Sequence, residues 1–343
     1  MLTIWVIDEA SPGHLSQSVG LAEGLAKVTP SQIVVIKGRS KLRGWQRPFA
    51  QWIMGKQGRP LPDRLMRQVI DLIIPEQVAS PDLIISSGGK SVFAARTLSQ
   101  RHHAPYVYIG ERKPFPSTWF DLVISPVPGE SANNSIDIEL IPTPVSPQSL
   151  AEHGSVQSGT WCMIVGGASR SHLYEDDDWI ALARQMNDIA EREAIRWCVT
   201  TSRRTGARAE SLIRDHLNPQ FLNESVWWSD EKKGKSLQNL MAISEVLFVT
   251  QDSITMVTEA VSAGKPTVVI RPNATSFRGD SFLPSYYQRL ELKQRVIRTT
   301  VQDMHQVSKS AWEALSTLKE PYLETIARET LDRLHTDGFL GSQ

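Results

Sequence analysis

The 343 residues carry 37 basic and 37 acidic side chains, so the overall charge gives no indication of a nucleic-acid partner. This length predicts two domains, each large enough for its own core. No apolar run approaches the ~18 residues that would span a bilayer, and the N-terminus, with Asp8 and Glu9, reads as a strand rather than a signal peptide. With Cys162 and Cys198 in apolar runs, we expect a reduced, cytoplasmic protein without a metal site.

The first half of the sequence alternates strand and helix patterns. Strands are predicted at Leu2–Ile7, Gln32–Lys37, Asp82–Ser86, Tyr106–Ile109 and Leu122–Ser125. Helices are predicted at Gln17–Lys27, Asp63–Leu72 and Val92–Gln100. Such alternation indicates a parallel sheet that is covered by helices on both faces.

The second half repeats this alternation. Strands are predicted at Trp161–Val165, Arg196–Thr200, Val226–Trp228, Val246–Thr250 and Thr267–Ile270. Helices are predicted at Asp176–Arg192, Ala207–His216 and Ile254–Ala263, with a helical tail in Val301–Leu340 and a linker in Pro142–Gly159. The fold class is therefore α/β, with two Rossmann-like, doubly wound parallel-sheet domains at 1–145 and 158–318, followed by a C-terminal helix in 319–343.

The loop after the first strand contains a histidine in a suitable place for proton transfer. Pro12 and Gly13 favour a tight turn, with the helix beginning near Ser16. His14 would then lie at the carboxyl end of a strand, where an imidazole can take a proton from a hydroxyl near neutral pH. A loop histidine that only bonds the backbone is the alternative, and Glu111, after the fourth predicted strand, is the second candidate base.

The segment 37–67 and the loop SSGGKS at 86–91 are candidates for contact with the acceptor. Ile84 stands where a phosphate loop needs glycine, so Gly88, Gly89 and Lys90 would bind an anion or an acceptor hydroxyl, or form only a turn. The segment 37–67 has nine basic residues and one acid, interleaved with Trp45, Phe49, Trp52, Ile53 and Met54, which predicts peripheral contact with an anionic membrane. The alternative is that these apolar residues are ordinary core, with a basic rim for acidic sugars, and nucleic acid is the least favoured partner.

Two loops of the second half are predicted to bind a diphosphate. Gly166 and Gly167 would let a pyrophosphate approach closely, with Ser169 and Arg170 beside it, unless they form a plain interdomain turn. The next strand is followed by Ser202, Arg203 and Arg204, and paired guanidiniums match diphosphate oxygens in bidentate fashion. A solvated surface is the alternative for these arginines.

The segment 245–272 reads as a strand, a polar turn and a short helix closed by Gly264. The turn contains Gln251, Asp252 and Ser253, at the position where unpaired helix N–H groups attract anions. Glu259 lies two turns along the helix, where its carboxylate would bind a ribose diol unless it is only a solvated residue.

These motifs carry a resemblance to a known family. The segment is similar to the donor-binding element of GT-B glycosyltransferases, through Ser253, Met256, Glu259, Ala260, Gly264 and Pro266. The whole chain resembles a bacterial-type member of the mitochondrial-fission (elongated mitochondria) family of GT-B glycosyltransferases. The matching pieces are Gly13-His14 with Gln17, Gly166-Gly167, Thr201-Ser202-Arg203-Arg204 and Thr250-Gln251-Asp252-Ser253.

The resemblance implies a GT-B fold whose two domains face a cleft, with the last helix crossing back to the first domain. It implies a transfer from a nucleotide sugar, UDP-linked by preference, to a glycan or lipid-linked acceptor such as a lipopolysaccharide precursor. The donor would bind at the second-half residues, the acceptor at Gly13, Gln17 and 88–90, without a metal or other cofactor. No carboxylate pair suggests double displacement, so direct, inverting transfer is favoured. A non-catalytic adaptor that recruits a partner to a membrane and a sugar-nucleotide 2-epimerase are the alternatives, and the expected location extends to the cytoplasmic face of the inner membrane.

Overall fold

The structure is a computed structural model that describes residues 1–127, 134–169, 171–230, 236–277, 281–319 and 322–340. The chain divides into a first unit, Met1–Pro144 with Tyr322–Gln343, and a second unit, Val145–Pro321. Each unit is built on one mainly parallel sheet, as expected for strands that alternate with helices.

Seven strands of the described residues form the sheet of the first unit. They are β1 (Leu2–Asp8), β2 (Ser31–Ser40), β3 (Ile70–Ile73), β4 (Leu83–Ser87), β5 (Tyr106–Ile109), β6 (Leu122–Ser125) and β7 (Ser135–Asp137). Their spatial order is β3-β2-β1-β4-β5-β6-β7, and only the β2–β3 pair is antiparallel among them. The chain leaves β1 towards β2 and returns on the other side at β4, so the carboxyl ends of β1 and β4 form the crevice where ligands bind in such sheets.

Helices of the first unit cover this sheet. They are α1 (Pro12–Val28), α2 (Arg47–Met54), α3 (Asp63–Val69) and α4 (Val92–His102). The apolar face of α4 packs with Trp5, Tyr106 and Trp119 in one core, which holds α4 against the middle of the sheet. This packing fixes the position of the loop that joins β4 to α4.

The second unit repeats the arrangement. Its strands are β8 (Thr160–Val165), β9 (His172–Leu173), β10 (Arg196–Thr201), β11 (Leu222–Val226), β12 (Val246–Thr250), β13 (Thr267–Arg271), β14 (Ala274–Thr275) and β15 (Ile297–Thr300). Its helices are α5 (Pro147–Ala151), α6 (Asp176–Glu193), α7 (Gly206–His216), α8 (Leu237–Ile243), α9 (Ile254–Ser262), α10 (Leu283–Leu292) and α11 (Lys309–Glu313). The parallel strands are ordered β11-β10-β8-β12-β13-β15, so the order reverses between β8 and β12, while β9 and β14 pair separately.

The core of the second sheet contains its two thiols. Cys162 of β8 and Cys198 of β10 are register neighbours on adjacent parallel strands, and both are buried as free cysteines. Burial raises the pKa of Cys162 well above its usual value and that of Cys198 to about 11. The prediction of reduced core thiols fits these positions.

The last helix, α12 (Tyr322–Thr336), packs on the first unit. A side chain at Gly24 of α1 would lie 2.8 Å from Leu323 Cγ, so glycine allows the two helices to approach closely. The Tyr322 hydroxyl accepts hydrogen bonds from the backbone N–H groups of Glu139, at 2.6 Å, and Leu140, at 3.1 Å. Residues from both ends of the chain thus contribute to one core.

Several predicted bounds need correction. The helix predicted over Asp63–Leu72 ends at Val69, because the following residues pair with the edge of β2 as strand β3. The strand predicted at Val226–Trp228 lies earlier, at Leu222–Val226. The first helix begins at Pro12 rather than near Ser16, since proline suits the first helical position and Ala10, with φ 62°, makes the turn.

Candidate functional site

In the first unit, the loops that follow β1 and β4 meet at a buried carboxylate. Oε2 of Glu9 accepts hydrogen bonds from the backbone N–H groups of Lys90, at 2.7 Å, and Ser91, at 2.9 Å. Glu9 is only 5% exposed. Its charge is therefore held by donors at the start of α4, where helix N–H groups favour an anion.

The other oxygen of this carboxylate orients His14. Glu9 Oε1 lies 2.6 Å from His14 Nδ1, and the imidazole is 41% exposed. Because a carboxylate can only accept here, Nδ1 carries the proton and Nε2 is left with its lone pair for another partner. A histidine held in this way by a carboxylate is the arrangement used for general base catalysis.

Gly88 lies against the Glu9–His14 pair, where there is no room for a side chain. Its φ of 88° lies in the left-handed region, and a side chain there would collide with His14 Nδ1 and with Glu9 Oε1, at 2.5 Å. The prediction that backbone N–H groups of this loop bind an external anion is wrong for Lys90, because the carboxylate of Glu9 already occupies that group. Gly89 faces Phe115 and the guanidinium of Arg47 instead.

The other residues predicted on the acceptor side differ in accessibility. Gln17 is 4% exposed and its Oε1 accepts a hydrogen bond from Ser87 Oγ at 2.5 Å, so it ties α1 to the end of β4 rather than facing an acceptor. Gly13 is half-buried in the first turn of α1. Glu111 is half-buried after β5, beside β4 at the same edge of the sheet, and its role as second base stays a prediction.

In the second unit, the loops that follow β8 and β12 also meet at a buried carboxylate. A side chain at Gly166 would collide with both carboxylate oxygens of Asp252. One at Gly167 would collide with the carbonyl oxygen of Arg204 and lie 2.6 Å from Thr205 N. The directions in which side chains on these glycines would point are thus filled by neighbouring loops of the protein. The predicted approach of a pyrophosphate to their backbone stays a prediction.

Asp252 forms an ion pair with Arg204. Arg204 Nη2 lies 2.6 Å from Asp252 Oδ2, and the carboxylate is fully buried while the arginine side chain is 36% exposed. Burial raises the pKa of Asp252 despite the opposing effects of Arg204, the Thr250 hydroxyl and the Gly167 N–H. Arg204 is thus already partnered, which weakens its predicted role as a free diphosphate clamp.

Arg203 and Ser202 flank this ion pair. Arg203 is exposed and makes none of the salt bridges found among the described residues, so its guanidinium is available to an anion. Ser202 is half-buried, and its hydroxyl donates to the Gly166 carbonyl at 3.2 Å. Arg203 is therefore the more accessible of the two arginines, and its predicted contact with a phosphate stays a prediction.

A buried histidine that the sequence reasoning missed links two of the predicted loops. His172 is 1% exposed; its Nδ1 lies 3.2 Å from Ser169 Oγ and its Nε2 lies 3.1 Å from Gln251 Nε2. Burial and the nearby Arg204 lower its pKa to about 4, so the neutral ring accepts from the amide and donates to the hydroxyl. Gln251 is itself buried, which corrects its predicted contact with a donor, and Arg170 lies outside the described residues.

The start of α9 presents the remaining predicted donor residues. Ser253 is the N-cap and its hydroxyl accepts from Met256 N at 3.5 Å. Ser253, Met256 and Glu259 are all half-buried, whereas Val257 and the next helical turn on the opposite face are in the core. Their predicted contacts with a nucleotide sugar stay predictions.

Within the described ranges, no group of three or more His, Cys, Asp or Glu side chains is arranged to hold a metal ion. None of the helices described above combines the length and hydropathy needed to traverse a bilayer.

Comparisons with known proteins agree with the fold. The family model described as Mitochondrial fission ELM1 matches residues 12–329. An uncharacterized protein of Rickettsia prowazekii, RP120, is 27% identical over 124 residues, which cover 35% of this chain and 34% of RP120, so the chain matches about a third of that relative's length.

Two solved structures resemble the chain over nearly their full lengths. The UDP complex of MnaA from S. aureus has a TM-score of 0.55 and 11% identity, covering 100% of this chain and 99% of that one. UDP-GlcNAc 2-epimerase from Neisseria meningitidis, bound to UDP-GlcNAc, has a TM-score of 0.54 and 11% identity, covering 98% and 100%. The predicted α/β class with two Rossmann-like, doubly wound domains of the GT-B type is confirmed.

Proposed function

We propose that this chain, which belongs to the mitochondrial fission ELM1 family, is a glycosyltransferase that uses a nucleotide sugar. The observation that carries the proposal is the exposed His14, held at the crevice of the first sheet by the buried carboxylate of Glu9. Nε2 of His14 removes the proton of an acceptor hydroxyl while that oxygen bonds to the anomeric carbon. The bond from this carbon to the diphosphate breaks, and the nucleotide diphosphate leaves with the electron pair.

The donor is a nucleotide sugar held by the second unit. Arg203 supplies an accessible positive charge, and the start of α9, capped by Ser253, supplies N–H groups to the diphosphate. Glu259 accepts from the ribose hydroxyls, as in the GT-B pattern that this helix resembles. A uridine nucleotide is the first choice because two structures of the same fold were determined with UDP or UDP-GlcNAc.

The acceptor is a glycan or a lipid-linked sugar of the cell surface, such as a lipopolysaccharide precursor. An acceptor anchored in a membrane would place the enzyme at the cytoplasmic face of the inner membrane. The basic segment 37–67 supports this location, since it would be attracted to anionic headgroups.

A sugar-nucleotide 2-epimerase is the second candidate. The N. meningitidis protein of the same fold is a UDP-GlcNAc 2-epimerase, and each unit here holds a buried carboxylate, Glu9 and Asp252, at its crevice. The two candidates differ in one requirement: an epimerase changes the donor without any acceptor. A family member that acts only as an adaptor would bind no nucleotide at all.

Thermal unfolding in the presence of UDP, GDP, ADP, CMP and their sugars tests nucleotide binding. A ligand at about 100-fold over its Kd adds roughly 2.7 kcal/mol to stability, which is a readily measured shift. We expect one uridine nucleotide to stabilise the wild type and Glu259→Ala to lose that shift. Glu313→Ala, which removes an exposed glutamate from α11 of the same unit, is the matched control and should keep it.

The reaction is then identified by its products. NMR of a binding nucleotide sugar incubated with the protein alone should show no C2 epimer if the chain is a transferase; an epimer would overturn that assignment in favour of the second candidate. His14→Gln should retain the nucleotide shift and lose turnover by about 100-fold or more. Absence of any nucleotide shift in the folded wild type would refute both enzymatic functions.

A further inference from the structure

Three large aromatic side chains lie exposed on one side of α2 and the turn before it. Trp45, Phe49 and Trp52 are 77%, 62% and 76% exposed. Their spacing of four and three residues matches one face of a helix, and the rings of Phe49 and Trp52 stack with centroids 5.9 Å apart. We call these three residues the aromatic patch; contiguous exposed apolar surface of this kind marks an interaction site.

The helix that carries the aromatic patch is firmly anchored. On its opposite side, Ala50 and Met54 are buried in the core of the first unit. At its end, the indole Nε1 of Trp119, a buried core residue, donates to the Gly55 carbonyl at 2.9 Å. One side of α2 therefore packs into the core and holds the helix in place, while the aromatic patch on the other side faces outwards.

The segment that carries the aromatic patch is strongly basic. Nine basic residues lie between positions 37 and 67 against one acid, Asp63, and that acid is paired with Arg101. Eight of the nine are exposed, and the ninth, Arg47, is half-buried. The basic residues are Lys37, Arg39, Lys41, Arg43, Arg47, Lys56, Arg59, Arg64 and Arg67.

We propose that this surface docks on a bilayer that contains anionic phospholipid. The rings of Trp45, Phe49 and Trp52 enter the interface between headgroups and acyl chains, where indole rings in particular are favoured. Lysine and arginine heads of the same segment contact lipid phosphates, while their aliphatic stems lie in the headgroup region. A protein partner would need acidic residues placed opposite this excess of eight positive charges. An anionic bilayer presents phosphates across its whole surface and needs no such matching.

The docking surface adjoins the crevice of the first unit. The guanidinium of Arg47, the first residue of α2, lies 4.0 Å from where a side chain on Gly89 would begin. Gly89 follows Gly88, which contacts the Glu9–His14 pair. Docking would thus bring lipid headgroups close to His14; only this consequence rests on the proposed glycosyl transfer, and the docking does not.

Vesicle flotation with the full-length chain tests the proposal. Vesicles of phosphatidylcholine alone are compared with vesicles that contain about 30% phosphatidylglycerol, at low and high salt. We expect binding only to the anionic vesicles, weakened by salt. Trp45→Ser/Trp52→Ser should bind at least about tenfold more weakly, because two interfacial rings are lost.

The matched control removes two exposed apolar side chains elsewhere. Trp228 and Leu292, 52% and 77% exposed in the second unit, are replaced in Trp228→Ser/Leu292→Ser, which should bind as the wild type does. Brominated lipid should quench tryptophan fluorescence in the wild type and the control but much less in Trp45→Ser/Trp52→Ser. Far-UV circular dichroism confirms that each variant is folded.

Three results would overturn the proposal. One is absence of wild-type binding to anionic vesicles. Another is equal loss of binding in both double variants, and the third is binding that depends on charge alone, with no quenching by brominated lipid. Tight, salt-sensitive binding of single-stranded nucleic acid through the same aromatic residues, without vesicle binding, would assign the surface to stacking of bases instead.

Discussion

The crevices of the two sheets contain the same element, a buried carboxylate, in two different electrostatic environments. Glu9 follows β1 and accepts from two backbone N–H groups and from His14. Asp252 follows β12, and burial raises its pKa although Arg204 is beside it. The topology places an acid at both crevices, and the local partners differ. The first crevice sets its acid beside backbone N–H groups and a histidine, and the second sets its acid beside an arginine.

The largest difference between the crevices should come from their glycines. In Gly167→Ala the new methyl group meets the backbone of Arg204 and Thr205, which cannot move without shifting a loop. We expect a loss of about 3 kcal/mol in the free energy of unfolding, measured with urea. Gly44→Ala, where no atom lies within 4 Å, is the control and should change stability by less than about 0.5 kcal/mol.

The corresponding change in the first unit, Gly88→Ala, meets side chains rather than backbone. His14 can rotate away and the Glu9 carboxylate can shift more readily than backbone, so we expect a loss of about 2 kcal/mol, much of it the strain of a left-handed alanine. The variant should fold and lose activity, since the Glu9–His14 contact is broken. A loss of stability in Gly88→Ala that equals or exceeds the loss in Gly167→Ala would contradict the distinction between side-chain and backbone contacts.

The next largest difference in stability should come from replacing each buried acid by its amide. In Glu9→Gln a single amide oxygen replaces the two carboxylate oxygens that accept from three donors, and the new NH2 group faces one of those donors. We therefore expect the free energy of unfolding to fall by about 2 kcal/mol at pH 7. Asp252→Asn removes a charge that burial disfavours, and Arg204 keeps access to water, so the change should be within about 1 kcal/mol. Asp71→Asn, at an exposed pair with Lys41, is the control. Equal losses of unfolding free energy in Glu9→Gln and Asp252→Asn would show that the two acids are in equivalent environments.

The smallest effect is a pH dependence of stability at the second crevice. The folded pKa of His172 is lowered to about 4, whereas the unfolded ring titrates near 6.5. Between these values the unfolded chain binds more protons, so the contribution of His172 to stability is present above pH 6.5 and is lost as pH falls towards 4. His172→Gln should remove this loss, which amounts to roughly 1 kcal/mol by pH 5.5, read from the difference between melting curves of the variant and the wild type. A pH profile identical to that of the wild type would show that folding does not shift the pKa of His172.

The fold could be predicted because each sheet is built from buried parallel strands that have continuous apolar runs. The predicted and observed bounds of β5, β6 and β12 are identical. The antiparallel edge strand β3 was missed because its apolar spacing also fits a helix, and only its pairing with β2 decides between the two. Local sequence does not contain that long-range contact.

The site could be predicted only in part, for the same reason. The Gly-His pair identified His14, but its partner Glu9 binds N–H groups more than 80 residues away, which no spacing reveals. The sequence contained one signal for this partner: Glu9 stands at the end of a predicted strand, five residues before the candidate base His14. Gly166 and Gly167 follow β8, where the sequence predicts a turn, but their contacts with Asp252 and the 204–205 backbone are visible only in the structure.

The chain's two cysteines have a practical consequence for all of these measurements. Both lie in neighbouring strands of the second sheet, and the first unit has none. Since burial raises both thiol pKa values, a thiol-reactive probe reacts only when that sheet opens. The labelling rate therefore measures how often the second unit opens, and a nucleotide bound to that unit would lower the rate.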